Sequence, residues 1–154
     1  MPEPTAEDAS VYMRLFEIAS SPAQAEARSW ILSELAVESY KDLDKRHPAG
    51  SAERDRLATS LGFYESVGML VSRGLLNEDV FFDAPFGFDL VWPRLVTILD
   101  EWRKAAKDEA TWENVRWLGR RYEIWKKESW KPKLEAMPPE KGPAKEPQVR
   151  GFAR

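Results

Sequence analysis

The feature that most constrains the fold is a run of apolar residues, spaced four and three positions apart, in the middle of the chain. Its members are Leu57, Leu61, Tyr64, Gly68 and Val71. Residues at this spacing share one face of an α-helix, so the run predicts a helix with a long buried stripe. Phe63, Val67 and Leu70 widen the stripe. We therefore expect this helix to lie at the centre of the fold, covered on most sides.

Signals for helix starts and stops divide the rest of the chain. Ser51 is a typical N-cap for the central helix, and Gly74 is a typical left-handed residue just after its end. Asn77 is placed to cap a short helix that follows, and Ser21 with Pro22 marks an earlier start. Helical patterns, with no strand-type alternation, predict an all-α compact bundle of five to six helices, at about 8–20, 22–46, 51–73, 77–83, 89–107 and 111–130.

The last part of the chain has a different composition. Residues 131–154 contain five of the eleven prolines, with 6 Lys/Arg against 3 Asp/Glu. Residues 1–130 contain 17 Lys/Arg against 23 Asp/Glu. The pattern predicts a single helical domain over 1–130 and a disordered, basic, Pro-rich C-terminal tail over 131–154. An acidic body also argues against a dedicated nucleic-acid-binding domain.

Composition excludes several classes of site. The chain has no cysteine and one histidine, which excludes disulfides, thiolate catalysis and His-rich metal centres. His47 follows Asp44 at a spacing that could seat a metal, but we expect it to cap the end of a helix instead. We expect no cofactor and no metal. No apolar run reaches the roughly 18 residues of a membrane span, and the polar, acidic N-terminus favours a cytoplasmic location.

The residues from the central helix to the predicted sixth helix also resemble a known family. The matching segments are Phe63–Leu76 (Phe-Tyr-Glu-Ser-Val-Gly-Met-Leu-Val-Ser-Arg-Gly-Leu-Leu), Phe82-Asp83, Trp92, Arg103 and Trp112–Leu118. Over residues 57–121 this pattern is similar to a bacterial family known only as a domain of unknown function. The resemblance implies an all-helical fold and supplies no reaction, ligand or catalytic residue. Many members of that family carry an N-terminal membrane segment, which this sequence lacks.

Glu65 is the most unusual residue of the central helix, because a carboxylate at the edge of an apolar face needs a partner. If it were unpaired in a pocket, its pKa would rise and it could act as a general acid. The structural alternative, which we favour, is an ion pair with Arg73, Arg94 or Arg103, or a hydrogen bond to a buried backbone group. The enzymatic hypothesis requires a cavity beside Gly62 and Gly68.

The predicted sixth helix has more apolar surface than one packing face requires. Five of the seven tryptophans lie between residues 102 and 130, and Trp117 and Ile124 form a second apolar line seven residues apart. We therefore expect a non-enzymatic protein-interaction or self-association module, with a protein partner or a second copy bound at Trp112, Trp117, Arg120, Ile124, Trp125 and Trp130. The alternative is a nucleic-acid or membrane-surface binder that uses the basic residues of this helix and the tail. A second alternative is an enzyme or small-ligand binder that uses Glu65.

Overall fold

The chain folds as a helical bundle, which confirms the predicted all-α class. The computed structural model describes residues 2–139 and residue 142. Within them there is no strand. The helices are α1 (Ala6–Ala19), α2 (Pro22–Ser33), α3 (Tyr40–Arg46), α4 (Ala52–Ser72), α5 (Glu78–Asp83), α6 (Phe88–Ala106) and α7 (Glu113–Glu128), followed by a 3-10 turn (Lys133–Ala136).

Helix α4 lies at the centre of the bundle, as its apolar stripe predicts. It packs against α7 on one side and α2 on the other. Leu61 and Val67 have no exposed surface, and Tyr64 donates a hydrogen bond from its hydroxyl to the carbonyl oxygen of Phe86 at 2.8 Å. Helix α6 packs against α2, α3 and α7, and α1 covers α2 and α5. The core is therefore organised around one 21-residue helix.

The single helix predicted over 22–46 is wrong, and its interruption accounts for the seventh helix. The chain is extended between α2 and α3, where Leu35 and Val37 turn inward and are 7% and 6% exposed. Ser39 caps α3 instead of lying on a helix face: its hydroxyl oxygen accepts from the N–H of Asp42 at 3.1 Å. These tertiary and capping interactions outweigh the helix propensity of the segment.

Most helix ends follow the local signals. Ser21, Ser51 and Asn77 cap α2, α4 and α5 with their side chains, and Gly74 has a φ of 70° after the end of α4. Helix α1 has a cap that was not predicted, a reciprocal capping box between Thr5 and Asp8. The second carboxylate oxygen of Asp8 accepts from the N–H of Asn77 at 2.8 Å, which ties the start of α1 to the start of α5.

The two glycines of α4 differ in their surroundings. A Cβ on Gly68 would lie 2.3 Å from the carbonyl oxygen of Asn114, so α7 can approach only because this position has no side chain. A Cβ on Gly62 would meet nothing within 4 Å. The close approach of a neighbouring helix therefore accounts for the glycine at position 68 but not for the one at position 62.

Beyond α7, residues 131–139 form little structure apart from the 3-10 turn, none of whose residues is buried. The remainder of the predicted tail, apart from residue 142, lies outside the described residues. None of the helices in the described part of the chain combines the length and the apolarity that crossing a membrane requires.

The contrast between the two glycines gives a paired stability test. Gly68→Ala should destabilise the fold by about 1–3 kcal/mol, because the methyl group forces the backbone of α7 outward. Gly62→Ala should stabilise it by about 0.5–1 kcal/mol, since alanine is the better helix former and meets no neighbour here. Urea unfolding of both variants measures the difference. Equal effects of the same sign would contradict the packing at Gly68.

Asp8 gives a pH-dependent test. The N–H of Thr5, then its hydroxyl and the N–H of Asn77, donate to the carboxylate and hold the pKa of Asp8 below its ordinary value of 3.8. A lowered pKa in the folded state means that the charge stabilises the fold above pH 3.8 and stops doing so as the pH falls through the folded-state pKa. Asp8→Asn should be less stable than the parent at pH 7, and the difference should shrink below pH 3.8. Thermal unfolding between pH 3 and 7 tests this, with the exposed Glu7→Gln as control.

Candidate functional site

Glu65 caps the start of α7 across the interface between two helices. Its Oε1 accepts from the side-chain and backbone N–H groups of Asn114 at 3.0 and 3.3 Å, and its Oε2 accepts from the N–H of Val115 at 2.9 Å. The first N–H groups of a helix have no partner within it, and the helix dipole favours a negative charge there. The half-buried carboxylate therefore supplies the cap that the sequence around α7 does not.

Helix α7 begins at Glu113, two residues later than predicted, and no side chain next to its start caps it. The N-cap residue is Trp112, which has a φ of 49° and makes no capping hydrogen bond with its side chain. Trp112 instead packs edge-on against Trp102, with ring centroids 5.8 Å apart. This packing holds the chain in a left-handed conformation that is rare for a bulky residue, and it leaves the first N–H groups of α7 to Glu65.

These contacts bear on the chemistry that Glu65 can perform. Both of its oxygens accept hydrogen bonds from α7, in agreement with the backbone-bonded alternative in the sequence analysis. Arg103, one of the expected ion-pair partners, donates instead to Glu109 at 2.7 Å. On the Gly68 side the backbone of Asn114 occupies the space that an enzymatic cavity would need. Catalysis by Glu65 stays an untested hypothesis, and this geometry gives it no cavity at Gly68.

The tryptophans predicted to form an interface divide into an inward and an outward group. Trp125 is 5% exposed and its indole N–H donates to Asp79 at 2.6 Å, which makes it part of the core together with the partly buried Trp112. Trp117 and Ile124 are 38% and 43% exposed. They lie about two turns apart on one side of α7. We call Trp117, Ile124 and the surface between them the outer face of α7.

Trp130 lies beyond the end of α7 and is 43% exposed. The ammonium group of Lys126 sits 3.6 Å from the centre of its ring, a cation–π contact. The side chain is therefore accessible, but one face of the indole is already in contact with a cation of the same chain.

Two of the three arginines of α7 are held by acidic partners, whereas Arg116 donates to the carbonyl oxygens of Thr111 and Glu109. Arg120 donates to Asp100 at 2.8 Å and to Glu123 at 3.4 Å. Arg121 makes two hydrogen bonds to Glu78, at 2.7 and 2.8 Å, and these raise the pKa of the guanidinium above its ordinary value. The positive charge that the sequence places along this helix is thus largely neutralised at these two positions.

A cleft of about 510 Å³ borders the outer face of α7 and was not foreseen from the sequence. The N-terminal segment, the end of α4 and α7 surround it. We call it the acidic cleft, since it is lined by the carboxylates of Glu3, Glu7, Asp8 and Glu78 and by one guanidinium, Arg121, with an apolar floor of Val71, Leu75, Leu76 and Trp117. No local sequence signal identifies such a cleft, because its walls come from three separated segments.

In the described part of the chain, no group of three or more acidic or histidine side chains is arranged so that it could hold a metal ion. His47 occupies the predicted position at the end of α3, and the hydrogen bond there comes from its backbone, whose N–H donates to the carbonyl oxygen of Leu43 at 2.8 Å. Its ring packs edge-on against Trp30 at 5.4 Å between centroids.

Comparison with known proteins gives a family but no activity. The profile of the family described as "Domain of unknown function (DUF4760)" matches residues 4–122, and the chain belongs to this family. This confirms the resemblance to an uncharacterised domain family. No curated protein and no solved structure matches the chain.

The cap by Glu65 predicts a large effect of a single substitution. Glu65→Ala should destabilise the protein by about 2 kcal/mol, because it leaves N–H groups of α7 without a partner. Glu65→Gln keeps one acceptor oxygen but loses the charge, so its effect should be about half as large. Urea unfolding measures both, with the exposed Glu17→Ala as control. An unchanged free energy of unfolding in Glu65→Ala would exclude the cap.

Proposed function

We propose that this member of the DUF4760 family is a non-enzymatic protein-interaction module and that its contact surface is the outer face of α7. The observation that carries the proposal is the exposure of Trp117 and Ile124 on one side of a helix whose other aromatic residues fold inward. Tryptophan is among the residues most enriched in the energetic centres of protein interfaces. We also propose a cytoplasmic location, from the acidic, polar character of the sequence.

A second copy of the chain is the partner that we propose. In a dimer with a twofold axis, Trp117 and Ile124 of one copy can pack against Trp117 and Ile124 of the other. The exposed apolar residues of both copies are then buried in one interface. The arginines beside the line do not oppose this approach. Arg120 is paired with Asp100 and Arg121 with Glu78, so two identical faces would meet without a row of unbalanced positive charges.

The same ion pairs weigh against the runner-up function, a nucleic-acid or membrane-surface binder. Binding to phosphates depends on lysines and arginines that are free to neutralise them and so to displace the counterions condensed on the nucleic acid. Arg120 and Arg121 would first have to leave their carboxylate partners. Lys133 in the chain after α7 is also paired, with its Nζ 2.5 Å from Asp83. The runner-up keeps Arg116 and the lysines of α7, together with the other basic residues of the tail.

Native mass spectrometry of the untagged protein, with sedimentation velocity across a concentration series, tests the proposal. We expect a dimer mass, and we expect Trp117→Ala combined with Ile124→Ala to weaken dimerisation at least tenfold. That loss is about 1.4 kcal/mol, a modest fraction of what truncating an interface tryptophan often removes. Neither side chain is buried, so the fold should remain intact, which circular dichroism checks.

Met13→Ala combined with Leu90→Ala is the matched control. Both side chains are more than half exposed and lie on α1 and α6, away from the outer face of α7. Equal loss of the dimer in both double variants would point to a general effect of apolar surface, and a monomer at all concentrations would exclude self-association. Binding that is abolished by salt and depends on residues 131–154 would instead favour the runner-up.

A further inference from the structure

The residues that line the acidic cleft indicate the chemistry of a ligand that fits next to the outer face of α7. Glu3 and Glu7 are exposed at its rim, while Asp8 and Glu78 are already bonded to Thr5, Asn77 and Arg121. Leu75 is 56% exposed and Trp117 is 38% exposed on the apolar floor. A complementary ligand would thus present cationic groups to the rim and an apolar group to the floor.

Helix ends of both polarities line the cleft. Val71, Ser72 and Gly74 line it, and they belong to the last turn of α4 and the residues just after it. The C-terminal end of α4, with Arg73 as its C-cap residue, carries a partial negative charge, whereas Thr5 and Asn77 in the same lining are the N-caps of α1 and α5, whose ends carry a partial positive charge. These helix ends offset one another, and the preference of the cleft for a cation therefore comes from its rim carboxylates.

The chain itself contains a segment with this chemistry. Residues 149–154 read Val-Arg-Gly-Phe-Ala-Arg, with Phe152 between Arg150 and Arg154 and no acidic residue. We propose that this segment binds in the acidic cleft, with Phe152 on the floor formed by Trp117 and Leu75 and the two guanidinium groups at Glu3 and Glu7. An aromatic pair and charge-assisted hydrogen bonds are the interactions that would hold it.

The chain after α7 begins near the cleft and has a long reach. Trp130 and Lys131 line a cavity together with Pro4, and the neighbouring residues Pro2, Glu3 and Thr5 line the acidic cleft. The chain thus leaves α7 beside the same N-terminal segment that borders the cleft. The ten residues from 139 to 149 can span up to about 33–36 Å, which exceeds the roughly 24 Å length of α7 itself.

This inference rests on the proposed function in one respect only, since Trp117 belongs both to the cleft and to the outer face of α7. A segment bound in the cleft would cover one side of the Trp117 ring and so control how much of the proposed interface is available. It can bind within one chain or to a second copy, and neither arrangement requires the dimer through α7.

Nuclear magnetic resonance of the ¹⁵N-labelled full-length protein tests the inference. The probes are the indole N–H of Trp117, assigned with Trp117→Phe, and the backbone N–H of Leu75. Arg150→Glu combined with Arg154→Glu should shift both signals, and so should Phe152→Ala. The matched control is Lys141→Glu combined with Lys145→Glu, which changes the net charge by the same amount within the same tail and should leave both signals in place.

Two results would overturn the inference: no shift in any variant, or equal shifts in the arginine and lysine double variants, which would mean a non-specific charge effect. A shift confined to the residue 150, 152 and 154 variants supports it, and its dependence on dilution assigns the segment to the same chain or to a second copy. Native masses of the same samples keep the two proposals apart. If the variants change the two signals while the protein stays a dimer, or if they change them in a protein that is a monomer, then binding in the cleft does not depend on association through α7.

Discussion

The carboxylate of Glu65 and the bare Cα of Gly68 lie one turn apart on α4, and both meet the start of α7. Gly68 lets the backbone of Asn114 approach to a distance that a side chain would prevent, and Glu65 then accepts hydrogen bonds from the N–H groups brought within reach. Each contact requires the other: without the close approach the carboxylate would not reach Val115, and without the carboxylate the approach would bury unpaired donors.

The position of α7 in turn fixes which of its side chains become surface. With Asn114 and Val115 held against α4, Trp125 reaches Asp79 on α5, and Gly119 lies under the ring of Trp92, where a Cβ would be 2.2 Å from that ring. Trp117 and Ile124 are then left on the opposite side. The exposed line that we propose as an interface is thus a consequence of how α7 is anchored, rather than of its composition alone.

The sequence predicts the features that depend on nearby residues, but not the contacts between residues far apart in the chain. The caps by Ser21, Ser51 and Asn77 and the left-handed Gly74 depend on residues a few positions away, so the pattern predicts them. The cap by Glu65 joins residues about fifty positions apart, and the sequence could show only that a carboxylate there needed a partner. The extended segment around Leu35 and Val37 escaped prediction because its stability comes from burial in the core. Trp112 and Trp125 looked equivalent to Trp117 because their partners, Trp102 and Asp79, come from other helices.

Trp117 belongs both to the acidic cleft and to the outer face of α7, so the affinity of residues 149–154 for the cleft determines how strongly they compete with association through α7. A segment tethered to the same chain competes for its site at an effective concentration of the order of 1 mM. If its intrinsic dissociation constant is near that value, about half of the molecules leave the cleft open, and association through α7 is weakened only about twofold. If the segment binds a hundredfold more tightly, the cleft is open in only about one per cent of the molecules. A partner that contacts the whole Trp117 side chain must then have a correspondingly higher affinity to displace the segment. The affinity of the cleft therefore decides whether residues 149–154 are a minor competitor for the outer face of α7 or the element that regulates it.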